Sequence, residues 1–183
     1  MGRFIAVVGP SGVGKDSVME ALAASDDRYV LARRVISRPS TAGGEDFEGV
    51  TEAEFHARAE RGDFALHWSA HGLYYGIPNK VDEVLDEGHD VLANLSRAVL
   101  PQMQKRFAKT EVILLMAPSK VLAKRLSARG RETAEDIAKR LDRAGFALPE
   151  GVTAHEVSNN RPLPQTVSAL QALLEPESVA RCS

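Results

Sequence analysis

An α/β fold built on a parallel central sheet is what this sequence predicts, and three features predict it. Gly9-Pro-Ser-Gly-Val-Gly-Lys15 stands between a short apolar run, Phe4–Val8, and a segment with apolar residues at helical spacing, Asp16–Ala24. Beyond it, short apolar runs suited to strands alternate with amphipathic helical stretches. One β-rich stretch interrupts that alternation and reads as a substrate-binding insertion, while a pair of charge-rich helices reads as a lid.

Strand, glycine-rich turn and helix is the setting that a phosphate-binding loop, or P-loop, requires. The glycines let successive backbone N–H groups turn inward on phosphates without a clashing Cβ. The helix N-terminus adds partial positive charge, and Lys15 reaches the β- and γ-phosphates. The expected nucleotide-binding set is Gly9, Pro10, Ser11, Gly12, Val13, Gly14, Lys15, Asp16 and Ser17. A purely structural glycine turn would leave the lysine at that spacing unexplained. Ser or Thr usually follows the lysine and ligates Mg²⁺ through its hydroxyl; here the residue is Asp16. Two readings of Asp16 stand. It is a hard-oxygen ligand for Mg²⁺, direct or through water, or it complements the helix dipole, worth about 0.3–1 kcal/mol.

The other elements follow in order. Tyr29–Ser37 reads as a second strand, with Arg33 and Arg34 on opposite faces. Arg38–Val50, rich in Gly, Pro and polar residues, reads as a loop in which Glu45 and Asp46 cap or brace the chain. Thr51-Glu-Ala-Glu54 is a capping-box pattern opening a short helix to about Arg61. Phe64–Ala70 and Leu73–Ile77 flank His71-Gly72 as a hairpin would. Within it Trp68 is expected in the core, and His67 and His71 as packed or hydrogen-bonded, His71 also bordering the insertion's mouth. Asn79–Glu87 is helical with Gly88 past its end, Asp90–Asn94 a strand, and Ser96–Phe107 a helix interrupted early by Pro101. Thr110–Met116 is the clearest buried strand. Helices over Ser119–Arg129 and Thr133–Phe146 break at Gly130, then Val152–Ser158 is a strand and Pro164–Leu174 a last helix.

At 183 residues the chain has the length of one domain, 1–175, with a tail over 176–183 read as disordered after Pro176. Hydrophobic content of 44%, charged content of 26% and a formal charge of −2 fit a globular protein without a nucleic-acid or polybasic membrane signature. No apolar run approaches the roughly 20 residues of a membrane span. The only cysteine, Cys182, has no partner, so a cytoplasmic setting is expected.

Arg125, Arg129, Arg131, Arg140 and Arg143 form a second concentration of information. Glu132, Glu135 and Asp136 intervene, so a solvated, salt-bridged helix pair is one reading. The Gly130 break downstream of a phosphate loop favours a closing lid, because phosphoryl transfer is catalysed largely by cations placed on the moving charge.

Gly9–Lys15, the Arg38-Pro39 loop, Gly44-Glu45, Asp46-Phe47, Tyr74-Tyr75-Gly76 and Arg125-Leu-x-x-Arg129-Gly-x-Glu132, followed by Ile137-x-x-Arg140-Leu141, together resemble the guanylate kinase superfamily. The resemblance implies a P-loop kinase using ATP and Mg²⁺. Its core spans 1–36, 90–118 and 146–175, its insertion 37–89 and its lid 119–145. Arg38 and Tyr75 match positions that grip the acceptor's phosphate, and Arg129 and Arg140 match lid arginines acting on the donor phosphates. Asn159-Asn160 falls where the family's loop approaches adenine, so Asn160 joins the ATP-binding set.

The departures carry more than the matches. The superfamily reads guanine with a Glu in the insertion and an Asp ending the following core strand. Here Leu66 stands in the first position, and Leu92-Ala93-Asn94-Leu95 covers the family's Leu-Asp-Ile-Asp. The phosphate-binding Tyr becomes Phe47, and a base-contacting Ser becomes Arg34. A leucine cannot accept guanine's N–H donors, and an unsatisfied buried donor costs about 1–3 kcal/mol. What replaces the carboxylates is basic and polar: Arg34, Asn94, Ser96 and Arg97, where α/β sheets bind ligands. With Gly-Lys-Asp-Ser, His67-Trp68-x-Ala70-His71-Gly72-Leu73 and Asn94-x-Ser96-Arg97-Ala98, this pattern resembles the ribose 1,5-bisphosphate phosphokinases. That implies ATP-dependent phosphorylation of ribose 1,5-bisphosphate to 5-phosphoribosyl 1-diphosphate (PRPP) in bacterial phosphonate use. The expected partner is thus a small phosphorylated sugar, with no nucleic acid and no membrane. A nucleoside monophosphate kinase and a non-catalytic guanylate-kinase-like binding module are the alternatives. Lys15, the loop glycines and the lid arginines speak against the second, since a scaffold needs none of them.

Overall fold

The computed structural model describes residues 1–42, 45–128 and 147–175. In chain order its strands are β1 (Phe4–Val8), β2 (Tyr29–Leu31), β3 (Arg34–Ile36), β4 (Phe47–Gly49), β5 (Phe64–Ala70), β6 (Leu73–Pro78), β7 (Asp90–Asn94), β8 (Thr110–Met116) and β9 (His155–Ser158). Its helices are α1 (Lys15–Ser25), α2 (Glu52–Glu60), α3 (Val81–Asp86), α4 (Leu100–Arg106), α5 (Ser119–Ala128) and α6 (Leu163–Leu174).

Continuous apolar runs make strands that can be covered on both faces, and β1, buried along its whole length, is the central one. It lies in a fully parallel sheet ordered β2-β7-β1-β8-β9. Alternation divides its residues between two cores. Phe4, Ala6 and Val8 pack with Leu100, Met103 and Phe107 on one side, where the Phe4 and Phe107 rings stack at 4.3 Å. Ile5 and Val7 pack with Leu22 of α1 and Leu170 of α6 on the other. A second sheet, β4-β3-β6-β5, carries its own small core of Val35, Val50, Phe55 and Phe64. The hairpin is as expected, with His71 and Gly72 at φ 53° and 73° in its two-residue turn. Thr51 caps α2 as the sequence predicts, its hydroxyl accepting from the Glu54 N–H at 3.2 Å.

Several expectations are corrected. Tyr29–Ser37 is two strands, not one. After the Ala32 N–H donates to the Leu92 carbonyl at 2.9 Å, the chain leaves the central sheet. The cause is a competition between cores: Tyr29 is claimed by the α1 side, Val35 by the insertion. The expected loop Arg38–Val50 contains β4, parallel to β3, and a 3₁₀ turn at Ser40–Ala42. There the chain crosses itself so closely that a Cβ on Gly49 would lie 2.4 Å from the Arg38 carbonyl oxygen, so that glycine marks a crossing rather than slack. Pro101 does not interrupt a helix. It sits in the first turn of α4, where its missing N–H costs nothing, after a 3₁₀ turn at Arg97–Val99. The strand expected over Val152–Ser158 is confined to β9, and Asn79–Glu87 to α3. No helix among the described residues is long and apolar enough to cross a membrane. The Thr133–Phe146 helix, the Gly130 break, Gly43-Gly44 and the tail with Cys182 lie outside the described residues.

The end of the sheet remote from the phosphate loop is closed by one charged contact. Asp90, 4% exposed, accepts from the Arg3 backbone N–H at 2.7 Å and from the Arg3 guanidinium. Burial alone would lower the Arg3 pKa, but the hydrogen bonds and charge of Asp90 outweigh it and hold the guanidinium above its ordinary value. Asp90→Ala, which takes from Arg3 its charged partner and from the Arg3 N–H its acceptor, should cost about 1–3 kcal/mol in denaturant unfolding. A loss within the scatter of surface substitutions would show that the pair does not brace the sheet.

Candidate active site

The C-terminal end of β1 runs into the glycine loop. Gly9, Gly12 and Gly14 take φ values of 154°, 82° and 93°, a region that other L-residues rarely adopt. Space agrees with conformation: a Cβ on Gly9 would lie 2.5 Å from the Leu115 carbonyl oxygen, and one on Gly14 2.9 Å from Asn159 Nδ2. Gly14 then opens α1, directing the helix N-terminus into the cradle. Lys15 Nζ donates to the carbonyls of Gly9 and Pro10 at 3.0 and 3.3 Å, holding its ammonium over the loop.

The loop is tied from behind by residues to which the sequence reading gave other places. Asn159, 6% exposed, donates from Nδ2 to the Val13 carbonyl at 2.7 Å, and its Oδ1 accepts from the Thr166 hydroxyl at 2.9 Å. Arg125 donates to the Val13 carbonyl at 3.1 Å and to the Asn159 carbonyl at 2.9 Å. Arg125, grouped above with the lid arginines, is therefore a brace of the phosphate loop. Asn159 is turned into that brace, while Asn160 beside it is exposed. No local pattern announces these ties, since Asn159 and Val13 are 146 residues apart.

Across from Lys15 opens a cavity of about 370 Å³ between the loop, the end of β7 and the hairpin. Of the predicted residues, Gly9, Pro10, Ser11, Lys15, Arg34, Tyr75, Asn94, Ser96 and Arg97 line it together. Gly12, Val13, Gly14, Asp16, Ser17, Asn160 and Arg38 are not among its lining residues. Arg38 lies with its guanidinium carbon 4.3 Å from the centre of the Phe47 ring and Nη2 3.9 Å from Glu45. Trp68 is half-buried: it packs against the main core as expected, and it also stacks on Tyr75 at 5.4 Å and faces the cavity. His71 borders the mouth, whereas His67 is exposed, its ring tilted and centred 6.3 Å from that of Phe64. Leu66 is wholly buried in the main core.

The charges are deployed in pairs. Arg33 is exposed and meets Asp46 at 3.2 Å, and Glu45 meets Arg34, so both acids brace the segment as expected. Arg97 donates to the Ala147 carbonyl at 3.3 Å. Asp16, in the first turn of α1, accepts from Asn94 Nδ2 at 2.9 Å. No group of three or more His, Cys, Asp or Glu able to hold a metal occurs among the described residues. A single carboxylate beside a phosphate cradle nonetheless fits Mg²⁺, which commonly takes one or two carboxylates and completes its shell with substrate phosphates and water. Arg129, Arg131, Arg140 and Arg143 lie outside the described residues.

The family model for guanylate kinase matches residues 1–177. The chain is 51% identical over 177 residues to the ribose 1,5-bisphosphate phosphokinase PhnN of Ruegeria sp. (strain TM1040), covering 96% of this chain and 93% of that protein. It is 42% identical over 183 residues to the protein of the same name from Azotobacter vinelandii, covering 98% and 99%. Among solved structures, guanylate kinase from Anaplasma phagocytophilum superposes with a TM-score of 0.64 at 18% identity, over 94% of this chain and 84% of that one, a likeness of fold.

Asn159→Ala removes the buried tie to Val13 and leaves the Thr166 hydroxyl without its acceptor. Thermal and denaturant unfolding should show a loss of about 1–3 kcal/mol, with KM for ATP raised more than KM for the acceptor. An unchanged KM for ATP would mean that the brace does not shape the phosphate loop.

Proposed function

The chain belongs to the guanylate kinase family, and we propose that it transfers the γ-phosphoryl group of ATP to ribose 1,5-bisphosphate, forming 5-phospho-α-D-ribose 1-diphosphate and ADP. It is a phosphotransferase whose acceptor is itself a phosphate. The carrying observation is the acceptor cavity: it joins the phosphate loop, and Lys15, Arg97, Ser96 and Asn94 line it with cations and hydrogen-bonding groups. The leucines that replace base-reading carboxylates, Leu66 and Leu95, are buried.

An oxygen of the 1-phosphate attacks the γ-phosphorus, the bond from that phosphorus to the β,γ-bridging oxygen breaks, and ADP departs with the electron pair. The attacking oxygen is already ionised near neutrality, so no protein base has to remove a proton. Lys15 holds the donor's β- and γ-oxygens and stabilises the charge that moves between them. The loop from Gly9 to Asp16, through its N–H groups other than at Pro10, cradles the triphosphate with Ser17 behind it, and Asn160 approaches the adenine. Asp16 is the residue that would hold Mg²⁺, tethered by Asn94, and the ion, when bound, offsets the charge on the β- and γ-phosphates.

On the acceptor side, Arg38 and Tyr75 match positions that grip the acceptor's phosphate, and Asn94, Ser96 and Arg97 line the cavity with Arg34 at its inner wall. Arg129 and Arg140, on the segment 119–145, serve as the lid cations, and residues 37–89 form the acceptor insertion. The setting fits the cytoplasm and a role in phosphonate metabolism.

Turnover of ribose 1,5-bisphosphate, GMP, AMP, UMP and dTMP with ATP tests the reading. Only the bisphosphate should give ADP and a sugar diphosphate; turnover of a nucleotide with none of the sugar would overturn it. Arg97→Ala should raise KM for the bisphosphate by about tenfold or more, the loss of one charge-assisted contact, and leave KM for ATP close to native. Equal effects on both substrates would remove Arg97 from the acceptor site.

A further inference from the structure

The inner wall of the acceptor cavity carries Arg34, whose ion pair with Glu45 behind it phosphoryl transfer does not itself require. Arg34 is 8% exposed. Its Nε donates to Glu45 Oε2 at 2.9 Å and its Nη2 to Glu45 Oε1, while Nη1 donates to the Asn94 carbonyl at 3.0 Å. Its guanidinium carbon lies 5.3 Å from the centre of the Tyr75 ring, itself stacked beside Trp68. A flat group rich in N–H donors is thus held by an aromatic ring and, along one edge, by a two-pronged carboxylate. An aromatic face and a hydrogen-bonding edge are also what a protein needs to hold a nucleobase. Here the chain supplies both and then occupies them with its own side chain.

We propose that the Arg34–Glu45 pair is an internal plug that denies a nucleobase the acceptor cavity and so restricts the acceptor to base-free sugar phosphates. The proposal rests on the acceptor reading above and names the residues that set its specificity. The plug holds because breaking it is costly. Moving Arg34 aside would take from Glu45 its two-pronged partner, with only Arg38 Nη2, 3.9 Å away, near it. Ser96 and Arg97 line the same cavity and, on that acceptor reading, meet the acceptor's anionic groups. With Arg34 gone, Glu45 would present two acceptor oxygens. These complement guanine, whose N1–H and 2-amino group lie side by side, better than adenine, whose amino group neighbours a ring acceptor.

Calorimetric binding of GMP and AMP to the full chain, with the donor site filled by a non-hydrolysable ATP analogue, tests this. The native chain should bind neither measurably. Arg34→Ala should bind GMP at least about tenfold more tightly than the native chain, the gain of paired hydrogen bonds, and AMP less so. Millimolar guanidinium chloride should displace that GMP by refilling the vacated place. Because Arg34→Ala strands a carboxylate and can unfold the insertion, Arg34→Ala/Glu45→Ala removes both charges together. It should bind both nucleotides more tightly than the native chain and without preference. Variants folded by circular dichroism that bind GMP no better than the native chain would overturn the plug. Failure of the kinase reading is seen separately, in native enzyme that leaves ribose 1,5-bisphosphate unphosphorylated.

Discussion

Parallel pairing of β1 with β7 sets the geometry of the whole site. Val7 lies opposite Asn94, and the Leu95 N–H donates to the Val7 carbonyl at 3.3 Å. Both strands therefore deliver their C-terminal ends to one edge of the sheet, β1 as the phosphate loop and β7 as Asn94, Ser96 and Arg97. A slip of one residue would present Ala93 or Leu95 to Asp16 in place of Asn94, and bury an amide among the core side chains. The apolar alternation along both strands forbids that slip, so the core fixes the register and the register fixes the chemistry.

Asn94 then joins the two halves of the reaction. Its side chain donates to Asp16 at the start of α1, and its carbonyl accepts from Arg34 in the second sheet. Donor helix and acceptor wall are thus linked through one residue, with Glu45 extending the chain of contacts into the insertion. A reaction between two polyanions needs cations that do not collapse onto neighbouring carboxylates. Among the described residues, Glu45 is paired with Arg34, Asp46 with Arg33, and Asp16 accepts from Asn94.

What could be read from the sequence was whatever is local. The loop glycines and Lys15, the apolar run of β8, the Thr51 cap and the His71-Gly72 turn each carry their signal within a few residues, and the structure places them as expected. The division of Tyr29–Ser37 was hidden because strand propensity does not say which sheet a residue joins. That depends on whether Tyr29 and Val35 face the same core. The formation of β4 was hidden by a Gly-rich composition that serves a chain crossing. Arg125 and Asn159 went unread as loop braces for the same reason: their partners are remote in sequence, and a single chain shows no pairings. Trp68 was placed against the core by hydrophobicity, which does not show that its other side faces a cavity.

The contacts of Arg3 reach further than the sheet they close. The same guanidinium that holds Asp90 also donates to the Leu174 carbonyl at 2.8 Å, so positions 3 and 174 are neighbours in space at the edge opposite the phosphate loop. Between residues 3 and 174 the chain is thus nearly a closed ring. A short linker from the end of α6 back to β1 would complete that ring, and the exposed Gly62 turn, outside the cavity lining, offers a place to reopen it. A circularly permuted enzyme made in this way would keep both halves of the phosphoryl-transfer site on uninterrupted strands.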